Sequence, residues 1–222
     1  DPYIALTELV ANAWDAGASK VEVSIPDELG TNIKISDDGT GLTREQFQNR
    51  WMKLGYNRIK HQGDRVIFPE GCSGNRLAYG RNGIGRHGLL CFNDEYTVIT
   101  STLGEQSRFT ISTHDEKVPF LIAEQAFQPS TSHGTILQVT VLRNLPSLQK
   151  VRDVIGARFL HDPQFKVFIN GVVLPLEELV GHINTREINV EGVNFQFHFI
   201  DTTKANRSTI YQGIAFWQSG RL

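Results

Sequence analysis

An α+β chain, a two-layer α/β sandwich with helices on one face of a mixed and mostly antiparallel sheet, is the fold this sequence predicts. Three observations carry the expectation. Helical periodicity fills residues 3–17 and returns over 146–160, strict two-residue alternation fills several short runs, and Gly, Pro, Asn and Asp punctuate the gaps between them. The 222 residues, 40% of them hydrophobic, suffice for a well-filled core and for one large domain or one and a half.

The first helix sets the theme. In YIALTELVANAWDAG, Glu8, Asn12 and Asp15 fall at i, i+4 and i+7, within roughly 60° of one another around the helix axis. Leu6, Leu9, Val10, Ala13 and Trp14 take the opposite arc, Ala5, Ala11 and Ala16 flank the polar stripe, and no basic residue appears before Lys20. A helix face turned to bulk water usually mixes cations with its carboxylates, so this stripe is expected to face a site. Residues 20–26 (KVEVSIP) and 32–36 (NIKIS) alternate apolar with polar and read as strands with one buried face, joined by a turn at 27–30. The second runs into Asp37-Asp38-Gly39-Thr40-Gly41. Alternating glycines there permit close backbone approach to a ligand, and Asp37 can accept a hydrogen bond from an exocyclic amine.

Residues 43–54 open with Thr43 and, three residues on, Gln46, a capping-box pair that starts a helix. The stretch 55–79 carries four glycines and a proline with little periodicity, as lids or disordered connections do. Gly80-Arg81-Asn82-Gly83-Ile84-Gly85-Arg86-His87-Gly88 then opens onto an apolar helical start, a geometry that turns free N–H groups toward phosphate. Beyond it, residues 95–102, 107–113 and 134–142 alternate as antiparallel strands, and 146–160 reads as a helix. Residues 164–170 form a strand that Gly171 turns back into 172–174, and the closing part, 187–190, 194–201 and 213–220, is rich in strand pattern.

Composition narrows the function. The net charge of −2 hides a basic block: residues 50–87 hold eight Lys or Arg against two acids, a local balance of +6. Such a patch suits a compact anion such as a polyphosphate, and a nucleic-acid backbone fits it as well. No apolar run of 18 residues or basic-then-apolar leader is present, which argues against a membrane and leaves the cytoplasm as the default compartment. Cys72 and Cys91 lack metal spacing, as do the histidines at 61, 114, 161, 182 and 198, so zinc is not expected. With Asp1 first and no initiator Met, the chain reads as a piece of a longer protein.

In this order and at these spacings, Glu8-x-x-x-Asn12-x-x-Asp15-Ala16, Asp37-x-Gly39-x-Gly41, Gly80-x-x-Gly83-x-Gly85 and His133-Gly134-Thr135 resemble the four signature boxes of the GHKL ATPase superfamily. That superfamily groups DNA gyrase, the heat-shock-90-type chaperones, histidine kinases and the mismatch-repair protein MutL, and the resemblance spans about residues 3–142. It implies a Bergerat-type ATP-binding domain over residues 1–178, a lid at about 55–87, and the start of a second, transducer-like domain over 179–222. Glu8 then corresponds to the general base that activates the attacking water, and Asn12 to the Mg²⁺ ligand. Asp37 pairs with the adenine amino group, supported by Thr135, and Gly39 and Gly41 line the adenine pocket. Gly80, Gly83, Ile84, Gly85, Arg86, His87 and Gly88 form the phosphate-side loop. For Arg86 and His87 a helix-start position needs no phosphate contact, and His133 is compatible with simple turn chemistry. Asp15 either meets the nucleotide, orients its neighbours or pairs with a cation. Lys60 or Arg58 occupies the place of a phosphate-side lysine in related proteins, and a solvated lid charge fits equally.

Phosphoryl transfer asks for such a set: positioning, metal neutralisation and a carboxylate to orient water. The expected function is Mg-dependent ATP binding and hydrolysis that drives lid closure and nucleotide-gated homodimerisation of a larger protein of the MutL, chaperone or MORC type, with a downstream effector or client. A histidine-type protein kinase and a non-hydrolysing nucleotide sensor are the rival readings, and DNA is a partner the net charge does not indicate. In the relatives a second-domain lysine completes the γ-phosphate site; Lys204 is the candidate here, and a surface-loop role suits it too.

Overall fold

The computed structural model describes residues 1–80, 85–113, 118–159, 164–174 and 182–200. Helix α1 (Pro2–Asp15) is capped by Asp1, whose carboxylate accepts from the amides of Tyr3 and Ile4, with Pro2 in the first turn where its missing N–H costs nothing. Its apolar arc, from Leu6 to Trp14, is buried, as the periodicity requires. The chain then makes β1 (Lys20–Ser24) and β2 (Asn32–Asp37), α2 (Arg44–Gln46) and the short α3 (Arg58–Gln62). After a 3₁₀ segment at Gly85–Cys91 come β3 (Glu95–Thr102), β4 (Glu105–Ser112), β5 (Leu121–Gln128), β6 (Gly134–Thr140), α4 (Leu148–Phe159), β7 (Lys166–Ile169) and β8 (Val172–Val173).

These strands form one eight-stranded sheet in the order β5-β4-β3-β6-β2-β1-β7-β8. Only the β1–β7 pairing is parallel; every other neighbour runs antiparallel, so the sheet is mixed and mostly antiparallel. Inward residues of the strands, such as Val21, Val23, Ile33, Ile35, Val98 and Leu137, share a single core with the buried faces of α1 and α4. That is the two-layer α/β sandwich. Among the described residues no helix is long and apolar enough to cross a membrane.

Three features depart from the sequence expectation. The helix expected over 43–54 keeps its capping box, Thr43 with Gln46, but widens into a π turn at Phe47–Trp51. The wider turn buries both aromatics, with Phe47 stacked on Phe109 at 3.8 Å between ring centres and the Trp51 indole N–H donating to the Tyr96 hydroxyl at 3.0 Å. Strand β5 lacks a clean alternation and was not expected; it is an edge strand, mostly exposed, and gains its pairing from β4 alone. The lid is ordered at its stem: Ala78 donates to Asp64 O at 2.8 Å and Val66 to Arg76 O at 2.9 Å, with a bridge between Arg65 and Leu77.

A second, two-stranded sheet consists of β9 (His182–Val190) and β10 (Val193–Ile200). Val193, Phe195, Phe197 and Phe199 share one face with Ile188 and Val190, and all of them are exposed. The strand pattern at 213–220 and Lys204 lie outside the described residues.

Candidate nucleotide site

A cavity of about 760 Å³ opens between α1, the C-terminal end of β2, the lid and the 3₁₀ segment. Glu8, Asn12 and Asp15 line it from one helix face, so the i, i+4, i+7 stripe does turn inward. Asp37 and Gly41 line the opposite side together with Thr135. Asp37 and Thr135 are direct cross-strand partners in the β2–β6 ladder, which explains how residues nearly a hundred positions apart come together. Gly80, Gly85 and Arg86 complete the wall near α1. A second cavity of about 630 Å³, beside Lys20 and Lys166, holds none of these residues.

The Asp37 end is built from strand ends. Asp37 Oδ1 accepts from the Gly39 amide at 2.9 Å, and the Thr135 hydroxyl lies 3.3 Å from that of Thr100 on β3. Burial pushes the Asp37 carboxyl up to about 7, helped by neighbouring Asp38, while the amides of Gly39 and Thr135 and the His133 ring pull it back. Gly41 has φ of 64°, and a Cβ there would stand 1.9 Å from Ser101 O, so only glycine lets the loop lie on β3.

The α1 end is assembled differently. A Cβ on Gly85 would stand 2.5 Å from the Glu8 Cβ and 2.7 Å from its Oε2, so the backbone of the third box lies directly on the Glu8 side chain. The Asn12 Nδ2 is buried and has no hydrogen-bond partner within the protein. An orphan of that kind normally costs about 1–3 kcal/mol, which marks the position as one completed by a ligand. Arg86 lies 5.5 Å above the Tyr56 ring, and burial lowers its guanidinium pKa. No carboxylate among the described residues pairs with it.

Several expected contacts fall elsewhere. His87 is turned into the core: burial, with Arg86 beside it, holds its pKa down at about 4, so the ring is neutral. The Trp51 carbonyl can only accept, so His87 Nε2–H donates to it at 3.1 Å, and Nδ1 accepts from the Tyr96 hydroxyl at 2.7 Å. With both nitrogens spent, His87 is a brace between β3 and the π turn that precedes the lid, and no phosphate ligand. Gly88 faces Ala5 of α1, a packing contact outside the cavity wall. Gly39 backs onto Ala16 instead of lining the cavity, and Lys60 is exposed on α3 away from it. Gly83 and Ile84 lie outside the described residues.

Charge counting also missed how part of the basic block is used. Arg58 and Arg76 are buried. Arg76 donates to Trp14 O at 3.3 Å, Ala18 O at 2.8 Å and Gln164 O at 3.2 Å, under the rings of Trp14, Phe68 and Phe165. No local sequence signal separates these internal anchors from cations that face a ligand.

Residues 2–135, which contain these cavity-lining positions, match a known family model described as histidine kinase-, DNA gyrase B- and HSP90-like ATPase. The chain belongs to this ATPase family. ATP is therefore the ligand of its fold. Among individual proteins, the chain is 46% identical over 46 residues to the DNA mismatch repair protein MutL of Thermosipho africanus, covering 21% of this chain and 8% of that protein. It is 34% identical over 62 residues to the mismatch repair endonuclease PMS2 of Gallus gallus, covering 28% of this chain and 7% of that protein. A protein provisionally named the type II restriction enzyme HgiDII, of Herpetosiphon aurantiacus, is 31% identical over 78 residues, covering 35% of this chain and 11% of that protein. The matches thus span about a tenth of the length of these relatives, and they favour the MutL-like branch of the family.

Proposed function

We propose that this domain binds Mg-ATP with the adenine at Asp37 and the phosphates along α1, hydrolyses it with Glu8 as general base, and uses the cycle to close its lid and to bring two copies of a larger protein together. The observation that carries this reading is the shared cavity: Glu8 and the unpartnered Asn12 amide face it from α1, and Asp37 faces it from β2. Ionised Asp37 accepts a hydrogen bond from the adenine amine, and Thr135 beside it steadies that contact.

At the other end Glu8 holds and deprotonates the water that attacks the γ-phosphorus, held in place by the Gly85 backbone packed against it. Arg86, partly buried and without an acidic partner among the described residues, supports charge developing on the phosphates. A magnesium ion suits the site through the side-chain oxygen that Asn12 carries on the cavity wall, since Mg²⁺ ordinarily takes one or two protein oxygens plus phosphate and water oxygens. Asn12 would hold it, and the ion would neutralise phosphate charge. Residues 179–222 begin a second domain that relays nucleotide state, consistent with the apolar face of β9–β10 needing a cover, since an isolated hairpin is marginal in water.

The test is Glu8→Ala. Calorimetry should find Mg-ATP binding retained while turnover drops about 100-fold, the scale of a lost general base; unchanged turnover removes Glu8 from that role.

A further inference from the structure

The third member of the α1 stripe, Asp15, stands where both ends of the lid stem meet α1. It is the last residue of α1, and no basic residue accompanies it in that turn. A carboxylate is electrostatically disfavoured at a helix C-terminus, because the last carbonyls already present negative charge. It is stable here because both oxygens are spoken for: Oδ1 accepts from the Tyr79 amide at 2.5 Å and Oδ2 from the Gly80 amide at 2.8 Å.

The other end of the lid meets the same residue. Arg58 Nε lies 4.0 Å from Asp15 Oδ2, and its Nη2 donates to Asp15 O at 3.4 Å and to Arg65 O at 3.2 Å, while Nη1 donates to Gly63 O at 3.2 Å. Both side chains are only 10% exposed. Entry and exit of the lid stem are therefore clasped on one residue of α1. From that clasp the glycine box begins at Gly80, and it ends at Gly85 against Glu8, seven residues earlier on the same helix face.

We infer that Asp15 is a positioning residue: by fixing the Tyr79 and Gly80 amides it holds Gly80 in the cavity wall that Gly85 and Arg86 share, and so sets how that wall meets the triphosphate. This rests on the ATP reading above and deepens it, because the effect falls on the phosphates and spares the adenine.

The experiment compares adenosine with Mg-ATP by calorimetric titration on the whole chain, for the wild type, Asp15→Asn, Gly80→Ala and the double variant. Asn keeps the shape of Asp15 but sets an NH₂ against one of the two amides. In Gly80→Ala a Cβ would stand 2.9 Å from Asp15 Oδ2, disturbing the same contact from the other side. Each single variant should bind ATP about 10-fold more weakly while adenosine affinity changes less than about twofold, as expected when a buried carboxylate–amide contact is lost. The double variant should be no weaker than the weaker single, since both break one contact. Equal losses for adenosine and ATP, or losses that multiply in the double variant, would overturn the assignment. If Asp15→Asn fails to fold, Gly80→Ala alone still decides by the ATP-to-adenosine ratio. A wild type that binds neither ligand sinks the ATP reading itself; a wild type that binds both, with variants whose ratio is unmoved, sinks only the role of Asp15.

Discussion

At the Asp37 end of the cavity each polar group is fixed by a strand or by a turn lying on one: Asp37 faces Thr135 across the β2–β6 ladder, and Gly41 rests on β3. At the α1 end the partners come from segments that share no ladder: Gly85 lies on Glu8, Gly80 hangs on Asp15, and Asn12 keeps a buried amide unpartnered. The first end is finished before a ligand arrives, and the second has bonding capacity left over. Strand ends in the interior of a sheet suit rigid recognition of the constant part of a nucleotide. A helix facing a lid suits the part that changes during hydrolysis, because its contacts are made one by one and are released one by one.

The contrast can be broken from either side. The largest effect is expected from Gly85→Ala: its new Cβ lands on Glu8, so turnover should fall about 100-fold or more, with adenosine binding intact by calorimetry. If adenosine binding collapses as well, the two ends are not independent. Next comes Asp37→Ala, which removes the acceptor proposed for the adenine amine and should weaken ATP and adenosine alike, by about 1–3 kcal/mol or more. A loss confined to ATP would contradict the assignment of that end.

The smallest effect is on pH. Because burial pushes the Asp37 carboxyl up to about 7 in the folded protein against 3.8 ordinarily, and the proposed amine contact needs the ionised form, nucleotide affinity should be about tenfold weaker at pH 6 than at pH 8. The stability of the unliganded protein should move the other way. The folded state keeps a proton that the unfolded state has lost, so stability declines as pH rises from about 4 to about 7 and then levels off. Thermal melts with and without nucleotide would separate the two trends.

Much of this was legible in the chain where the signal is local. The α1 stripe, the alternating strands and the capping box at Thr43 need only neighbours within a turn or two to be read. The parallel β1–β7 pairing depends on chain returning from more than a hundred residues away, and β5 on an edge of the sheet that no periodicity announces. Around the cavity, Glu8 and Asn12 were visible because helical spacing fixes their face, and Asp37 because it stands at a strand end beside two glycines. His87 was not, since only the Tyr96 hydroxyl and the Trp51 carbonyl decide that its ring turns inward. The basic block misled for a related reason: a cation that caps backbone carbonyls, as Arg76 does, has the same letter as one that holds a phosphate.

Trp14 stands at the joint between these two behaviours. Its indole N–H donates to Leu77 O in the lid stem, and the Arg76 guanidinium lies 4.3 Å above its ring. Any withdrawal of the stem changes both the charge over this fully buried chromophore and its hydrogen bond, so with Trp51 and Trp217 replaced by Phe its emission colour would gauge lid position without an attached dye.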